Sequence, residues 1–126
     1  MGVIHHHAVI ANTWKDEVYE SVREWVAANV EDNLKPLMRF VEAGENGRKT
    51  IVMCPDGSKE GWPASDSCDD LRRRFTDHLD TYEYDDGSSP IDYVEVEFGE
   101  FGQRIVDGNN ENKHEQPVEF PRGQNA

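Results

Sequence analysis

Asp86-Gly87-Ser88-Ser89-Pro90-Ile91-Asp92-Tyr93-Val94-Glu95-Val96-Glu97-Phe98 is the stretch on which the fold class turns. Its first five residues are what a tight helix-to-strand bend needs, with glycine, short hydroxyls, a carboxylate and a proline in sequence. From Ile91 the pattern alternates, with Val94, Val96 and Phe98 on one face and Glu95 and Glu97 on the other, the period of two of a β-strand. Before the bend, Leu71, Phe75, Leu79 and Tyr82 recur at helical spacing, Ser65 or Asp66 can cap that helix, and Asp69 and Asp70 in its first turn suit the helix dipole. A second cassette precedes it, Pro55-Asp56-Gly57-Ser58-Lys59-Glu60-Gly61-Trp62.

Further toward the N-terminus, Leu37 to Ala43 and Arg48 to Cys54 are β-rich runs around Gly44-Glu45-Asn46-Gly47, whose Asn-Gly predicts a hairpin. Trp14, Val18, Val22, Trp25, Val26 and Val30 predict a first helix, with Thr13 and Asp16 in the pattern of a capping box. Val3 to Asn12 predicts the opening strand. On the other side of the deciding stretch, Arg104-Ile105-Val106 can add a short edge strand. The order is strand, helix, strand, strand, helix, strand. It predicts an α+β domain over residues 1–106, an antiparallel sheet with two helices on one face in a ferredoxin-like layout, and a polar, loosely ordered tail over 107–126.

The chain has 126 residues, 36% apolar and 31% charged, so the core should be thin and completed by a partner subunit. Acidic residues number 26 against 13 basic ones, a net charge of −13 that disfavours duplex nucleic acid and anionic membranes. No secretory leader or apolar span is legible, which points to the cytoplasm. Cys54 and Cys68 form no metal-ligand spacing and are expected as free thiols.

Each candidate site has a plain structural reading beside it. His5-His6-His7 invites a metal, but only His5 and His7 share a strand face and no carboxylate lies at ligand spacing beside them, so no metal is expected. Asp85, Asp86 and Asp92 are accounted for by turn chemistry. Ser88, Ser89, Cys54 and Cys68 lack a recognisable base and orienter, which argues against an enzyme. Arg72-Arg73-Arg74 fan around a helix and read as solvated or salt-bridged. Trp14 and Trp62 each either enter the core or offer an indole to a flat ligand.

Val3-Ile4-His5-His6, Trp14, Pro55 to Trp62, Ser65-Asp66 with Asp69, Arg72 and Phe75, and Asp86 to Gly99 together resemble small phage proteins of the Thoeris anti-defence family of the sponge type, over residues 3–99. The resemblance implies sequestration without cleavage of cyclic ADP-ribose isomers made by bacterial TIR-domain sensors and, in some members, of cyclic trinucleotides, in the host cytoplasm and without a cofactor. It further implies a pocket between subunits of a dimer that can assemble into hexamers. There Trp14 would stack the base, Arg23 and Arg104 would grip phosphate, and Tyr82 of the partner subunit and Asp92 of the partner subunit would complete the pocket, with Lys59 nearby. The low basic content is a departure from that pattern. Two or three charge-assisted bonds of about 1.5–3 kcal/mol each, added to stacking, still allow tight binding. The competing expectation from charge alone is an acidic interaction protein that imitates nucleic acid and blocks a basic protein surface.

Overall fold

The computed structural model describes residues 5–58, 62–100 and 102–110. Along the chain run β1 (His5–Thr13), α1 (Asp16–Asn29), β2 (Met38–Val41), β3 (Lys49–Met53), α2 (Pro63–Leu79), β4 (Ile91–Gly99) and β5 (Gly102–Gly108). One five-stranded sheet has the order β2-β3-β1-β4-β5, and every neighbouring pair is antiparallel. The class is thus α+β, an antiparallel sheet with two helices. The order along the chain is one strand longer than expected, because residues 102–108 pair with β4 over its second half. Only Arg104 to Val106 looked like a strand; the flanking Gly102-Gln103 and Asp107-Gly108 are poor strand formers whose backbones nonetheless pair with the open edge of β4.

One face of the sheet carries the core. Val9 and Ala11 of β1, Ile51 and Met53 of β3, and Ile91 and Tyr93 of β4 lie under Val18, Tyr19, Val22 and Val26 of α1 and Cys68, Leu71, Phe75 and Leu79 of α2. Each large apolar side chain buried here contributes about 1.5–3 kcal/mol relative to exposure. Helical spacing predicted both helices, although Trp14 and Tyr82 lie outside them and Ser65 and Asp66 lie inside α2 instead of capping it. Pro63 opens α2 at a position where its missing N–H has no helical partner to lose. The Asn-Gly turn also formed: Asn46 and Gly47 sit at φ +57° and +69°, the left-handed pair that lets β2 return as β3.

Two local expectations are corrected, at Thr13 and in the tail, and the face that β4 buries, which alternation left open, is set by the structure. The capping box at Thr13 and Asp16 does not form, since Thr13 ends β1 and its hydroxyl donates to the Pro90 carbonyl at 2.8 Å, pinning the strand to the bend before β4. The face of β4 that lies under the helices is the glutamate face. Ile91 and Tyr93 enter the core, so Glu95 and Glu97 follow them by the same period, while Val94, Val96 and Phe98 share the other face with Ile10. Asp107 and Gly108 belong to β5, and Asn109 and Asn110 are bonded to Tyr93 and Ser89 rather than lying in a loose tail; residues 111–126 lie outside the described residues.

Two asparagines finish the sheet where β5 stops. The Tyr93 N–H donates to Asn109 Oδ1 at 2.7 Å, and Asn109 Nδ2 donates to the Ile91 carbonyl at 2.6 Å, so this amide imitates one more paired strand residue. Asn110 does the same for Ser89, accepting from its N–H at 3.0 Å. Asn109→Ala leaves both partners on β4 without protein bonds and should cost about 1–3 kcal/mol. Chemical denaturation reads the loss, and an unchanged midpoint would mean that water replaces the amide without cost.

Candidate functional site

Trp14 follows the last residue of β1 and is 53% exposed, so its indole is not a core residue. Its neighbour Lys15 places Nζ 5.3 Å from the Trp14 ring and 5.1 Å from the Tyr84 ring, within cation–π range of both. The bend that opens the Asp86–Phe98 stretch builds the far side of this corner. The Tyr84 N–H donates to the Ser88 carbonyl at 2.6 Å, the Gly87 N–H returns to the Tyr84 carbonyl at 2.9 Å, and the Ser88 N–H bonds Asp86 Oδ1 at 2.9 Å. Gly87 sits at φ +88°, a conformation that glycine adopts without strain. The result is two exposed rings with an ammonium between them, a surface that can stack a flat base and pair with an anion. Lys15 and Tyr84 were missed from sequence because nothing in their spacing, 69 residues apart in numbering, foretells the meeting.

The other residues implied by the resemblance are dispersed. Arg23 lies on α1, its guanidinium 5.1 Å from the Phe40 ring and 5.7 Å from the Tyr19 ring, with Glu42 at 3.7 Å and Glu20 at 4.0 Å. It ties α1 to β2. The Tyr82 hydroxyl bonds Ser21 Oγ at 2.7 Å and His78 Nε2 at 3.0 Å, and burial pushes its pKa up, so it joins the end of α2 to α1. Asp92 is exposed at the start of β4 opposite Asn12 and accepts from Asn110, at the same end of the sheet as Trp14. Arg104 donates to Glu97 at the other end. Glu97 pairs with His7, six residues before Thr13, which sets Arg104 roughly 20 Å from Trp14. Lys59 lies outside the described residues. Among the described candidates, Asp92 comes to the Trp14 end, Tyr82 lies two residues before Tyr84 of that corner, and Arg104 is at the other end.

The remaining candidates resolve into structural roles. Arg72 bonds Asp69, Arg73 bonds Asp70 at 2.7 Å, and Arg74 bonds Asp70 at 2.8 Å and Glu31 at 2.8 Å, so the arginine run is held by acids. Beside it, a cavity of about 400 Å³ is lined by Glu31, Asn33, Leu34, Asp66, Ser67 and Asp70, an acidic lining that repels a phosphate. Both cysteines are free. Burial, reinforced by a hydrogen bond to Asp56, pushes the Cys68 thiol up to about 11, so it stays protonated and inert at neutral pH. For Asp56 itself burial acts upward, yet hydrogen bonds from Ser58 and Cys68 prevail and hold the carboxyl below its ordinary value. Those bonds hold Asp56 and Ser58 beside Cys68 of α2, and Trp62 is 50% exposed at the helix entrance. Among the described residues no helix is long and apolar enough to cross a membrane.

The premise used against a metal at the histidine strand is also corrected. The carboxylate absent from the local sequence arrives across the sheet, since His7 is directly opposite Glu97 in the β1–β4 register. In comparison with known proteins, no family model matches this chain, and no curated protein or solved structure matches it.

Proposed function

We propose that this chain binds a cyclic nucleotide signal and withholds it uncleaved, a phage sponge of the Thoeris anti-defence kind with cyclic ADP-ribose isomers, and cyclic trinucleotides, as its ligands. The observation that carries the reading is the exposed Trp14 indole beside Lys15 and Tyr84. In this reading the base stacks on Trp14, Lys15 meets a phosphate, and Asp92 lies near the same rim. Tyr82 lies two residues before Tyr84 of the corner, whereas Arg104 lies at the far end of the sheet from Trp14 and Arg23 is engaged with Phe40 and Glu42. In this reading both arginines reach the ligand from a second subunit, which makes assembly into at least a dimer part of the proposal. The net charge of −13 is screened beyond about 10 Å at ordinary ionic strength, so the local ammonium governs the contact.

Titration calorimetry of the purified chain with cyclic ADP-ribose isomers and with cyclic trinucleotides tests it. Saturable heat is expected with at least one of them, and heating the complex should return the ligand chemically unchanged. The absence of heat with every one of them, or recovery of a cleaved product, overturns the reading.

A further inference from the structure

His5 and His7 stand two residues apart on β1 and therefore project from the same face, the one that carries the core. Their rings are 6.4 Å apart between centroids and steeply inclined at 74°, so the imidazoles converge rather than stack. Across the sheet, Glu97 faces His7 with Oε2 3.8 Å from Nε2, and the position opposite His5 is Gly99, which has no side chain to fill the space. One donor atom from each of His5, His7 and Glu97 lies within 4.8 Å of the others. We propose that these three residues form a binding site for a divalent transition-metal ion.

Two imidazoles and one carboxylate suit zinc and its neighbours better than magnesium or calcium, which prefer all-oxygen shells. Bonds of about 2.0–2.2 Å require donors roughly 3.3 Å apart, so the side chains must close by up to about 1.5 Å, a change within reach of χ rotations. The surroundings supply what an ion needs beyond its ligands. Glu95 Oε2 lies 3.9 Å from His7 Nδ1, a carboxylate behind the imidazole that a closure of about 1 Å brings to hydrogen-bond distance, where it would fix which nitrogen faces a metal. Arg104 donates to Glu97 Oε1, which leaves Oε2 as the oxygen turned toward His7. A cavity of about 70 Å³ opens beside His5 and Glu97, lined also by Gly102, Gln103 and Arg104. At about 30 Å³ per water it can hold one or two solvent ligands, so the site is an open three-residue one rather than a closed structural cage.

Within a protomer this site lies at the opposite end of β1 from the nucleotide corner, and none of its three ligands belongs to that corner; Arg104, which orients Glu97, is the one residue that both readings use. Equilibrium dialysis of untagged chain against zinc, with cobalt as an optical probe, tests it. One ion per chain is expected, with a visible cobalt band. His5→Gln, His7→Gln and Glu97→Gln should each weaken binding at least tenfold. His6→Gln should leave it within twofold, because His6 points to the other face of the sheet and contacts the Phe98 ring at 5.1 Å. Circular dichroism of each variant separates a lost ligand from a lost fold, and a variant that fails to fold is replaced by His7→Ala or Glu97→Ala. Retention of less than half an ion by the native chain overturns the proposal. So does an equal loss in His6→Gln and His7→Gln, which would mark the histidines as an unstructured chelating run.

Discussion

Phe75→Ala should remove about 3–5 kcal/mol of stability, a large share of the roughly 5–15 kcal/mol by which a domain of this size is held together. Phe75 is fully buried on α2 between Leu71 and Leu79, each one turn away on the same face, and its ring lies 6.1 Å from Trp25 of α1. It therefore sits where both helices and the sheet meet. Truncation deletes the ring and leaves a void that none of these neighbours can enter freely, since Trp25 is stacked on His78 at 4.7 Å with the planes 10° apart. Urea denaturation should show a lower midpoint with an unchanged slope. A loss under about 1 kcal/mol would mean that α2 does not rest on the sheet through this residue.

Periodicity revealed α1, α2 and β4 because each has apolar residues recurring at the interval of its own geometry. It could not reveal the sign of β4. Alternation states that two faces differ, and the natural assignment sends valines inward, yet burial depends on where the helices land. The C-terminal end of α2 meets Tyr93, whose hydroxyl donates to Asp80 Oδ1 at 2.7 Å, and Arg72 one turn before Phe75 faces Glu95. Glu95 is thus tolerated under a helix: burial raises its pKa, while the charges of Arg72 and His7 act against that rise. Arg72 is only 4% exposed, a buried cation that local helical spacing describes merely as one of three arginines.

The sites were hidden for a similar reason. Trp14 with Lys15 and Tyr84, and His5 and His7 with Glu97, are assembled by contacts between distant segments, and only the register of β1 with β4 and the tie from Thr13 to Pro90 bring them together. What local sequence does show is chemistry without partners: an isolated tryptophan and a histidine strand. The same register explains the valine face. Ile10, Val94, Val96 and Phe98 are placed on the helix-free side because Tyr93 and Ile91 have taken the other.

Trp14→Ala should leave the fold intact and weaken capture of the nucleotide by roughly 5- to 150-fold, the equivalent of about 1–3 kcal/mol for a stacked base. The two halves of that expectation come from one number. With 53% of its surface in water, the indole gives up little burial when removed, so the melting temperature should move by no more than a few degrees. The ring face nonetheless has Lys15 at 5.3 Å, so a base that stacks there brings its phosphate toward a positive charge. Trp62→Ala is the matched comparison, since that indole is 50% exposed but stands at the N-terminal end of α2, whose other end meets Tyr93 at the Trp14 end of the sheet. It should change capture far less. If Trp14→Ala unfolds the chain, the indole is structural and the corner is no site; if it folds and binds as tightly as the parent, or if Trp62→Ala is the variant that loses the ligand, the base lies elsewhere.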